Sequence, residues 1–298
     1  MPAQSQCRGD PTGRPYQGAT TGGCPYNIMK LAAFIAGLLF FLIPSLSWAI
    51  NFDNLSNQEV TTLEKTIEIL KPLIEQKKAA GMANLLTYEE LYAPLSRSQK
   101  RFLDQIRTVR PEELKGSSQK FPPIASHVVF ETIGGQKVNG KEGEKLLEIQ
   151  YLPKEVYAAY VRMMEQMEKE IGKKLLVESG YRSAAYQLYL FVFYMPKHGY
   201  SIRETNRFVA LPGCSEHGAP QQQAIDFINQ EGINGEDHPE EFEALPEYQW
   251  LTQRAGEYGF VLSYPRNNDQ NTSFEPWHWS YRQEQLLAHQ STRTPEHQ

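Results

Sequence analysis

Residues 175–200 read LLVESGYRSAAYQLYLFVFYMPKHGY and predict a strand, a turn and a strongly apolar helix in succession. Farther along, residues 224–229 (AIDFIN) predict a short strand, and residues 246–265 predict a helix closed by Gly259 and then another strand. Strands and helices mix without the regular alternation of βαβ units. We therefore expect an α+β fold, a compact domain with a central, mainly antiparallel sheet.

The segments before this region predict further helices and strands. Residues 57–80 carry apolar side chains near helical spacing, and residues 88–108 predict a second helical stretch. Residues 127–140 predict two strands on either side of a Gly-Gly turn, and residues 145–153 predict another strand. Residues 153–174 then have helical periodicity, with a proline suited to the first turn.

These elements suggest a division of the chain into four parts. Residues 50–125 are expected to form a helical N-terminal region whose helices pack on the main domain. Residues 126–282 are expected to form the main domain, and the polar residues 283–298 a flexible tail. Residues 1–49 are expected to be a leader and signal peptide.

The leader prediction depends on residues 31–43, the unbroken apolar run LAAFIAGLLFFLI that follows Lys30. Small residues at Ser47 and Ala49 complete the layout of a secretory signal peptide, so we expect cleavage after Ala49. The alternative is an uncleaved anchor helix, but the run is shorter than the ~20 apolar residues that a span requires. We expect the mature protein to be exported to the periplasm or cell envelope, with no stable membrane span.

Composition excludes several classes of protein. The chain of 298 residues is 40% hydrophobic and 22% charged, which is ordinary for a folded protein and excludes a disordered or multi-span membrane chain. Its net charge of −5 argues against nucleic-acid binding, which normally requires a basic face. After the predicted cleavage only Cys214 remains, so we expect no internal disulfide.

Two histidines lie in segments dense in other functional residue types: His217 in PGCSEHG and His278 in EPWHWSY, with Asp226 between them. A hydrolytic zinc site needs three protein ligands and one open position, and imidazole and carboxylate groups both serve. Glu275 could act as the proton acceptor, and Arg182 could hold a substrate oxygen. Spacing alone leaves another interpretation open, in which these side chains cap a turn, pair with a cation and pack among tryptophans.

Three segments, in this order, resemble the motifs of the zinc D-alanyl-D-alanine carboxypeptidases: ESGYRSAAYQ (178–187), PGCSEHG with AIDF (212–227), and EPWHWSY (275–281). These enzymes are associated with vancomycin resistance and cell-wall trimming. The resemblance extends over residues 125–282 and implies an α+β domain with a zinc ion on its central antiparallel sheet.

The resemblance also implies roles for individual residues. His217, Asp226 and His278 match the zinc ligands, Glu275 matches the catalytic base, and Arg182 matches the arginine that holds substrate and stabilises the transition state. The remaining matches are to positions that line the substrate pocket, namely Tyr181, Ser183, Gln187 and Ser215.

The chain departs from the family pattern at two places. The segment GAPQQQAID carries two more residues between His217 and Asp226 than the family usually has, so the pocket rim there must differ. Ser280 stands where the family often has arginine, which affects substrate contacts rather than the metal.

Together these features predict an exported zinc carboxypeptidase that removes the terminal D-alanine from peptidoglycan stem peptides. An L,D-carboxypeptidase or an endopeptidase using the same site is the alternative among enzymes. An inactive cell-wall-binding module and a thiol enzyme based on Cys214 are the alternatives from other classes.

Overall fold

The computed structural model describes residues 50–114, 120–122, 127–141, 143–219, 221–268, 273–285 and 287. The predicted signal peptide and most of the predicted tail lie outside these described residues. Within them, no helix has both the length and the apolar character needed to cross a membrane.

The described chain begins with helices, continues with four short strands in succession, and then mixes helices and strands. The α-helices are α1 (Asn57–Ala79), α2 (Tyr88–Tyr92), α3 (Arg97–Arg107), α4 (Lys154–Ile171), α5 (Ala184–Tyr194), α6 (Ile202–Thr205), α7 (Pro239–Glu243) and α8 (Pro246–Arg254). Short 3₁₀ turns cover Ala83–Leu85, Pro111–Leu114, Met195–His198, Glu216–Gly218 and Ala255–Tyr258. The strands are β1 (Phe130–Ile133), β2 (Lys137–Gly140), β3 (Gly143–Leu146), β4 (Gln150–Pro153), β5 (Leu176–Ser179), β6 (Ala224–Ile228), β7 (Phe260–Leu262) and β8 (His278–Tyr281).

Helices α1, α2 and α3 each begin at a capping box, in which a Ser or Thr side chain and a Glu or Gln three residues later satisfy each other's backbone N–H groups. The pairs are Ser56–Glu59, Thr87–Glu90 and Ser96–Gln99. The helix predicted over residues 57–80 is confirmed as α1. The stretch predicted over residues 88–108 is two helices instead, because Pro94 cannot continue α2 and Ser96 caps a new start.

The central sheet has the strand order β5-β6-β8-β7, and every neighbouring pair is antiparallel. The predicted α+β class with an antiparallel sheet and a helical N-terminal region is therefore confirmed. In this sheet Asp226 on β6 lies opposite His278 on β8, and Ser179 on β5 lies opposite Asp226 on its other side. The register thus brings two segments 52 residues apart in sequence into direct contact.

Of the strands predicted ahead of the central sheet in the sequence, the positions of β1 and β2 are confirmed, and the extent of the next strand is wrong. Strands β1 and β2 flank the Gly-Gly turn as predicted, but they do not pair with each other: β1 pairs with β4, and β2 pairs with β3. The single strand predicted over residues 145–153 is divided between β3 and β4, which pair with different partners, β3 with β2 and β4 with β1.

Two hydrophobic clusters hold the described chain together. One joins β5, β6 and β8 to α4 and α8, with Met163, Phe227 and Leu251 fully or almost fully buried. The other joins the N-terminal helices to α5, through residues such as Leu70 and Phe191, neither of which is exposed. The N-terminal helices therefore pack against the main part of the molecule through α5, while the boundary at residue 125 stays a prediction.

Candidate metal centre

The antiparallel register of β6 and β8 places the side chains of Asp226 and His278 next to each other. His217 joins them from the 3₁₀ turn that precedes β6. One ligand atom from each of these three side chains lies within 4.8 Å of the other two. The structure therefore brings together the three residues that the sequence nominated as metal ligands.

Each carboxylate oxygen of Asp226 faces one imidazole. Its Oδ1 accepts from Nδ1 of His278 at 2.7 Å, and its Oδ2 lies 3.0 Å from Nε2 of His217. The contact of His217 Nε2 with Asp226 is not a hydrogen bond, so this buried nitrogen has no hydrogen-bond partner among the described residues. On the far side of each ring, His217 Nδ1 donates to the carbonyl oxygen of Gly180 at 2.7 Å, and His278 Nε2 donates to Glu216 at 3.1 Å.

The three groups have strongly shifted pKa values. Burial and the nearby charge of Arg182 lower the pKa of His217 to about 4. Burial also disfavours the charged form of His278, but the carboxylates of Asp226 and Glu216 outweigh it and raise its pKa to about 10. Burial opposes ionisation of Asp226 too, yet the two imidazoles hold its pKa well below its usual range.

This arrangement fits a divalent transition metal. Two imidazole nitrogens and one carboxylate form the donor set, which leaves room for the open position of a catalytic site. The nitrogens that face inward are His217 Nε2 and His278 Nδ1, and the opposite nitrogen of each ring is held by an oxygen. Such outer hydrogen bonds fix the tautomer and orientation of metal-binding histidines.

Gly180 occupies the turn between β5 and α5 that supplies one of these oxygens. A Cβ atom on Gly180 would lie 2.5 Å from the carbonyl oxygen of Tyr151, a distance that real side chains do not adopt. Glycine therefore allows the turn to approach β4 closely enough for its own carbonyl to meet His217.

Glu275 lies beside the three candidate ligands, with Oε2 4.0 Å from Nδ1 of His278. Burial raises the pKa of Glu275 to about 7, and the negative charge of Asp226 contributes to the shift. The centre of the Tyr264 ring lies 4.8 Å from the centre of the His278 ring. A carboxyl group that titrates near neutrality can both accept and return a proton.

The candidate metal centre opens into a cavity of about 1040 Å³. Arg182 lines this cavity, and its Nε is buried without a hydrogen-bond partner among the residues described. The backbone N–H of Arg182 donates to the carbonyl oxygen of His217 at 3.0 Å, which ties the arginine to the metal centre. This Nε–H group is thus available to an anionic group in the cavity.

The other predicted substrate-binding residues divide into two pairs. Gln187 and Ser215 line the cavity, and the amide oxygen of the buried Gln187 has no described partner. Tyr181 and Ser183 are not part of the lining: the Tyr181 ring contacts Phe130, and the Ser183 hydroxyl donates to the carbonyl oxygen of Leu86. The substrate role of all four stays a prediction.

Three further residues bear on the site. Cys214 is buried, and burial raises the pKa of its thiol to about 11, so it is not a ready thiolate. Trp277 lines the cavity, whereas Trp279 packs in the core against Tyr248. Glu216 was not nominated from the sequence, although it directly precedes His217; its contact with His278 depends on folding across 62 residues.

Comparisons with known proteins identify the family to which the chain belongs. The family described as "VanY: D-alanyl-D-alanine carboxypeptidase" matches residues 149–284. The Bacillus subtilis (strain 168) protein YodJ, named as a carboxypeptidase, is 33% identical over 140 residues, which are 46% of this chain and 49% of YodJ. The chain thus spans about half the length of that relative.

Enterococcus gallinarum VanXYC is named as a bifunctional D-Ala-D-Ala dipeptidase and carboxypeptidase, and it is 30% identical over 141 residues, 44% of this chain and 67% of VanXYC. Among solved structures, the LD-carboxypeptidase LdcB is 26% identical with a TM-score of 0.44, over 62% of this chain and 84% of LdcB. With its family match and its similarity to VanXYC, this chain belongs to the VanY family of D-alanyl-D-alanine carboxypeptidases.

Proposed function

We propose that this protein is an exported, zinc-dependent carboxypeptidase that hydrolyses the terminal D-alanine from peptidoglycan stem peptides. The observation that carries the proposal is the convergence of His217, Asp226 and His278 beside Glu275 in a cavity that Arg182 also lines. Membership of the VanY family supports the same reaction class.

Zinc is the proposed metal because its usual hydrolytic sites use histidine and carboxylate ligands with one position left open. When bound, it would polarise the scissile carbonyl group and lower the pKa of a coordinated water to about 7. His217 Nε2, His278 Nδ1 and a carboxylate oxygen of Asp226 would hold it.

Glu275 is the proposed general base. Its pKa of about 7 lets the carboxylate take a proton from the attacking water and then return that proton to the departing amine. The position of its carboxylate, 4.0 Å from a candidate ligand atom, supports this role. Arg182 would bind the terminal carboxylate of the substrate or the oxyanion that develops during attack.

The size of the cavity supports a substrate longer than a free dipeptide. At about 1040 Å³ it reaches the upper end of the range for pockets that enclose drug-sized ligands, ~300–1,000 Å³. The lining extends beyond the metal centre to Tyr194 and Phe208 on one side and to Glu236 on the other. A stem peptide could therefore lie in it with only its terminal bond beside Glu275.

The test uses residues 50–298, the proposed mature chain, with zinc content measured and defined muropeptides incubated and weighed by mass spectrometry. We expect about one zinc per chain, as in other catalytic zinc sites with three protein ligands. The expected product is a pentapeptide shortened by one D-alanine.

Other outcomes point to other functions. Loss of alanine from a tetrapeptide would identify an L,D-carboxypeptidase, and cleavage inside cross-linked material would identify an endopeptidase. A folded protein that takes up no supplied zinc and binds cell wall without cleaving it would be a binding module, and the proposal would be wrong. Export is tested separately by locating the full-length chain and sequencing its mature N-terminus, expected to begin at Ile50.

A further inference from the structure

Glu216 is a buried carboxylate that contacts a candidate ligand without belonging to the ligand group. Only 7% of the residue is exposed, and its Oε2 lies 3.1 Å from Nε2 of His278. This nitrogen is on the side of the ring away from the Nδ1 atom that faces Asp226. Glu216 therefore contacts the back of His278 rather than the space between the three ligand atoms.

The second oxygen of Glu216 also has a partner. Its Oε1 lies 3.4 Å from Nη2 of Arg282, and Nε of Arg282 in turn donates to the hydroxyl of Ser280 at 3.3 Å. The Ser263 hydroxyl donates to the same Ser280 oxygen at 2.9 Å. Ser280 stands where related motifs often carry arginine, and in this chain a guanidinium reaches Glu216 from two residues later.

The two candidate ligand histidines thus differ in how they are held. His217 donates to the backbone carbonyl oxygen of Gly180, so this hydrogen bond does not depend on a side-chain acceptor. His278 donates to a side chain, so its orientation depends on the identity of residue 216. An acceptor at this position keeps the proton on Nε2 and leaves the Nδ1 lone pair for a metal.

We propose that Glu216 is a positioning residue of the metal centre, which holds His278 by its Nε2–H so that Nδ1 faces His217 and Asp226, and that Arg282 holds Glu216 in place. The inference deepens the proposed function and rests on it, because it assumes that these three side chains bind zinc. In this arrangement Glu216 acts through His278 and is not itself a ligand of the metal.

The test is the zinc dissociation constant of the whole 50–298 chain, measured by competition with a chromogenic chelator. We expect Glu216→Ala to weaken zinc binding by about 10- to 100-fold, the usual loss when the partner of a ligand histidine is removed. Glu216→Gln keeps an acceptor of the same shape and should recover a large part of that loss. Arg282→Gln should weaken binding less than Glu216→Ala does.

Glu247 offers a matched control, because it is a glutamate with 1% exposure whose ion-pair partner, Lys173, lies outside the metal centre. Glu247→Ala should lower the melting temperature of the metal-free protein but leave zinc affinity within twofold of the unsubstituted chain. A purely structural role for Glu216 predicts the same pattern for Glu216→Ala, with stability lost and affinity kept.

The outcomes separate the two claims. If the unsubstituted chain binds no zinc, both the proposed function and this inference are wrong. If it binds zinc and Glu216→Ala binds equally well, only the role of Glu216 is wrong. If Glu216→Ala does not fold, the zinc affinities of Glu216→Gln and Arg282→Gln test the inference instead. Unchanged zinc affinity in both variants would overturn it, and weaker zinc binding in both would support it.

Discussion

At the scale of single residues, the two histidines of the metal centre have opposite protonation states. His217 is fully enclosed beside the charge of Arg182, and its pKa of about 4 keeps it neutral at pH 7. His278 lies between two carboxylates, and its pKa of about 10 keeps it charged in the metal-free protein. A metal must therefore displace one proton from His278 Nδ1 and none from His217.

This difference predicts the proton stoichiometry of zinc binding. At pH 6 we expect release of about one proton per zinc, and affinity should rise about tenfold per pH unit because the pKa of His278 is raised rather than lowered. Calorimetry in buffers of different ionisation enthalpy measures the release. Glu275 and Glu178 are both changed to Gln for this measurement, because the pKa of each of these buried carboxyl groups is raised to about 7. Release of two protons would mean that His217 is also charged, and release of none that His278 is neutral.

Glu275 and Glu178 provide a paired test of the general base. Both carboxyl groups line the cavity, and burial raises the pKa of each to about 7. Glu178 already accepts from the side chain of Asn234 at 2.9 Å, whereas Glu275 lies beside the candidate ligands. We expect Glu275→Gln to bind zinc and to lose about 10²- to 10⁴-fold in kcat, the range for removal of a general base.

The control for that experiment is Glu178→Gln, which should keep kcat within about tenfold since its carboxylate is engaged elsewhere. Turnover is followed by release of D-alanine, with bound zinc measured on the same samples. If the two variants lose activity equally, Glu275 is not specifically the base.

At the scale of elements, the turn between β5 and α5 is held by a buried amide. Gln150 on β4 accepts at its Oε1 from Asn84 Nδ2 at 2.9 Å and from the backbone N–H of Gly180 at 3.1 Å. Gly180 in turn supplies the carbonyl oxygen that His217 contacts. One side chain thus links the N-terminal region to the turn that orients a candidate ligand.

Removing this amide should be costly because it leaves two buried donors unsatisfied. We expect Gln150→Ala to lower the free energy of unfolding by about 2–4 kcal/mol, from the desolvation penalty of each orphaned group. The exposed Gln253 on α8 is the control, and Gln253→Ala should change stability by less than about 0.5 kcal/mol. The free energy of unfolding of the two variants is measured by urea denaturation. A decrease for Gln150→Ala as small as that for Gln253→Ala would mean that water takes over the hydrogen bonds of the Gln150 amide.

The same elements show what could be predicted from sequence. Long periodic segments such as α1 and α4 were located because their burial pattern is local. The partner of β1 could not be predicted in this way, because β1 pairs with β4 through residues 17 to 23 positions apart rather than across the Gly-Gly turn. Within the site, the motifs nominated His217, Asp226 and His278, which the structure brings together, whereas the contact of Glu216 with His278 forms only when β8 lies beside β6.

At the scale of the whole molecule, α5 connects the two predicted regions, because it lies within residues 126–282 in sequence but packs with helices of residues 50–125. It lies inside the stretch that matches the VanY family, yet its apolar side chains are buried with those of the N-terminal helices. The β5–α5 turn also meets that region directly, through Ser183 N–H donating to the carbonyl oxygen of Asn84 at 2.9 Å. Because α5 would expose an apolar face without these helices, we expect the N-terminal region and the metal centre to unfold together.

Two neighbouring residues of α1 test this cooperativity. Leu70 has no exposed surface and lies in the cluster with α5, whereas Ile69 is 39% exposed on the same helix. Leu70→Ala should cost about 2–5 kcal/mol, as buried leucine truncations do. Ile69→Ala should cost less than about 1 kcal/mol, since it leaves little cavity.

Thermal unfolding is followed in parallel by far-ultraviolet circular dichroism and by release of bound zinc. In Leu70→Ala the midpoint temperatures of helix loss and of zinc release should fall by the same amount, although the substitution lies outside the residues that match the family. Helix loss at a temperature where zinc stays bound would show instead that residues 50–125 and 126–282 fold as separate units.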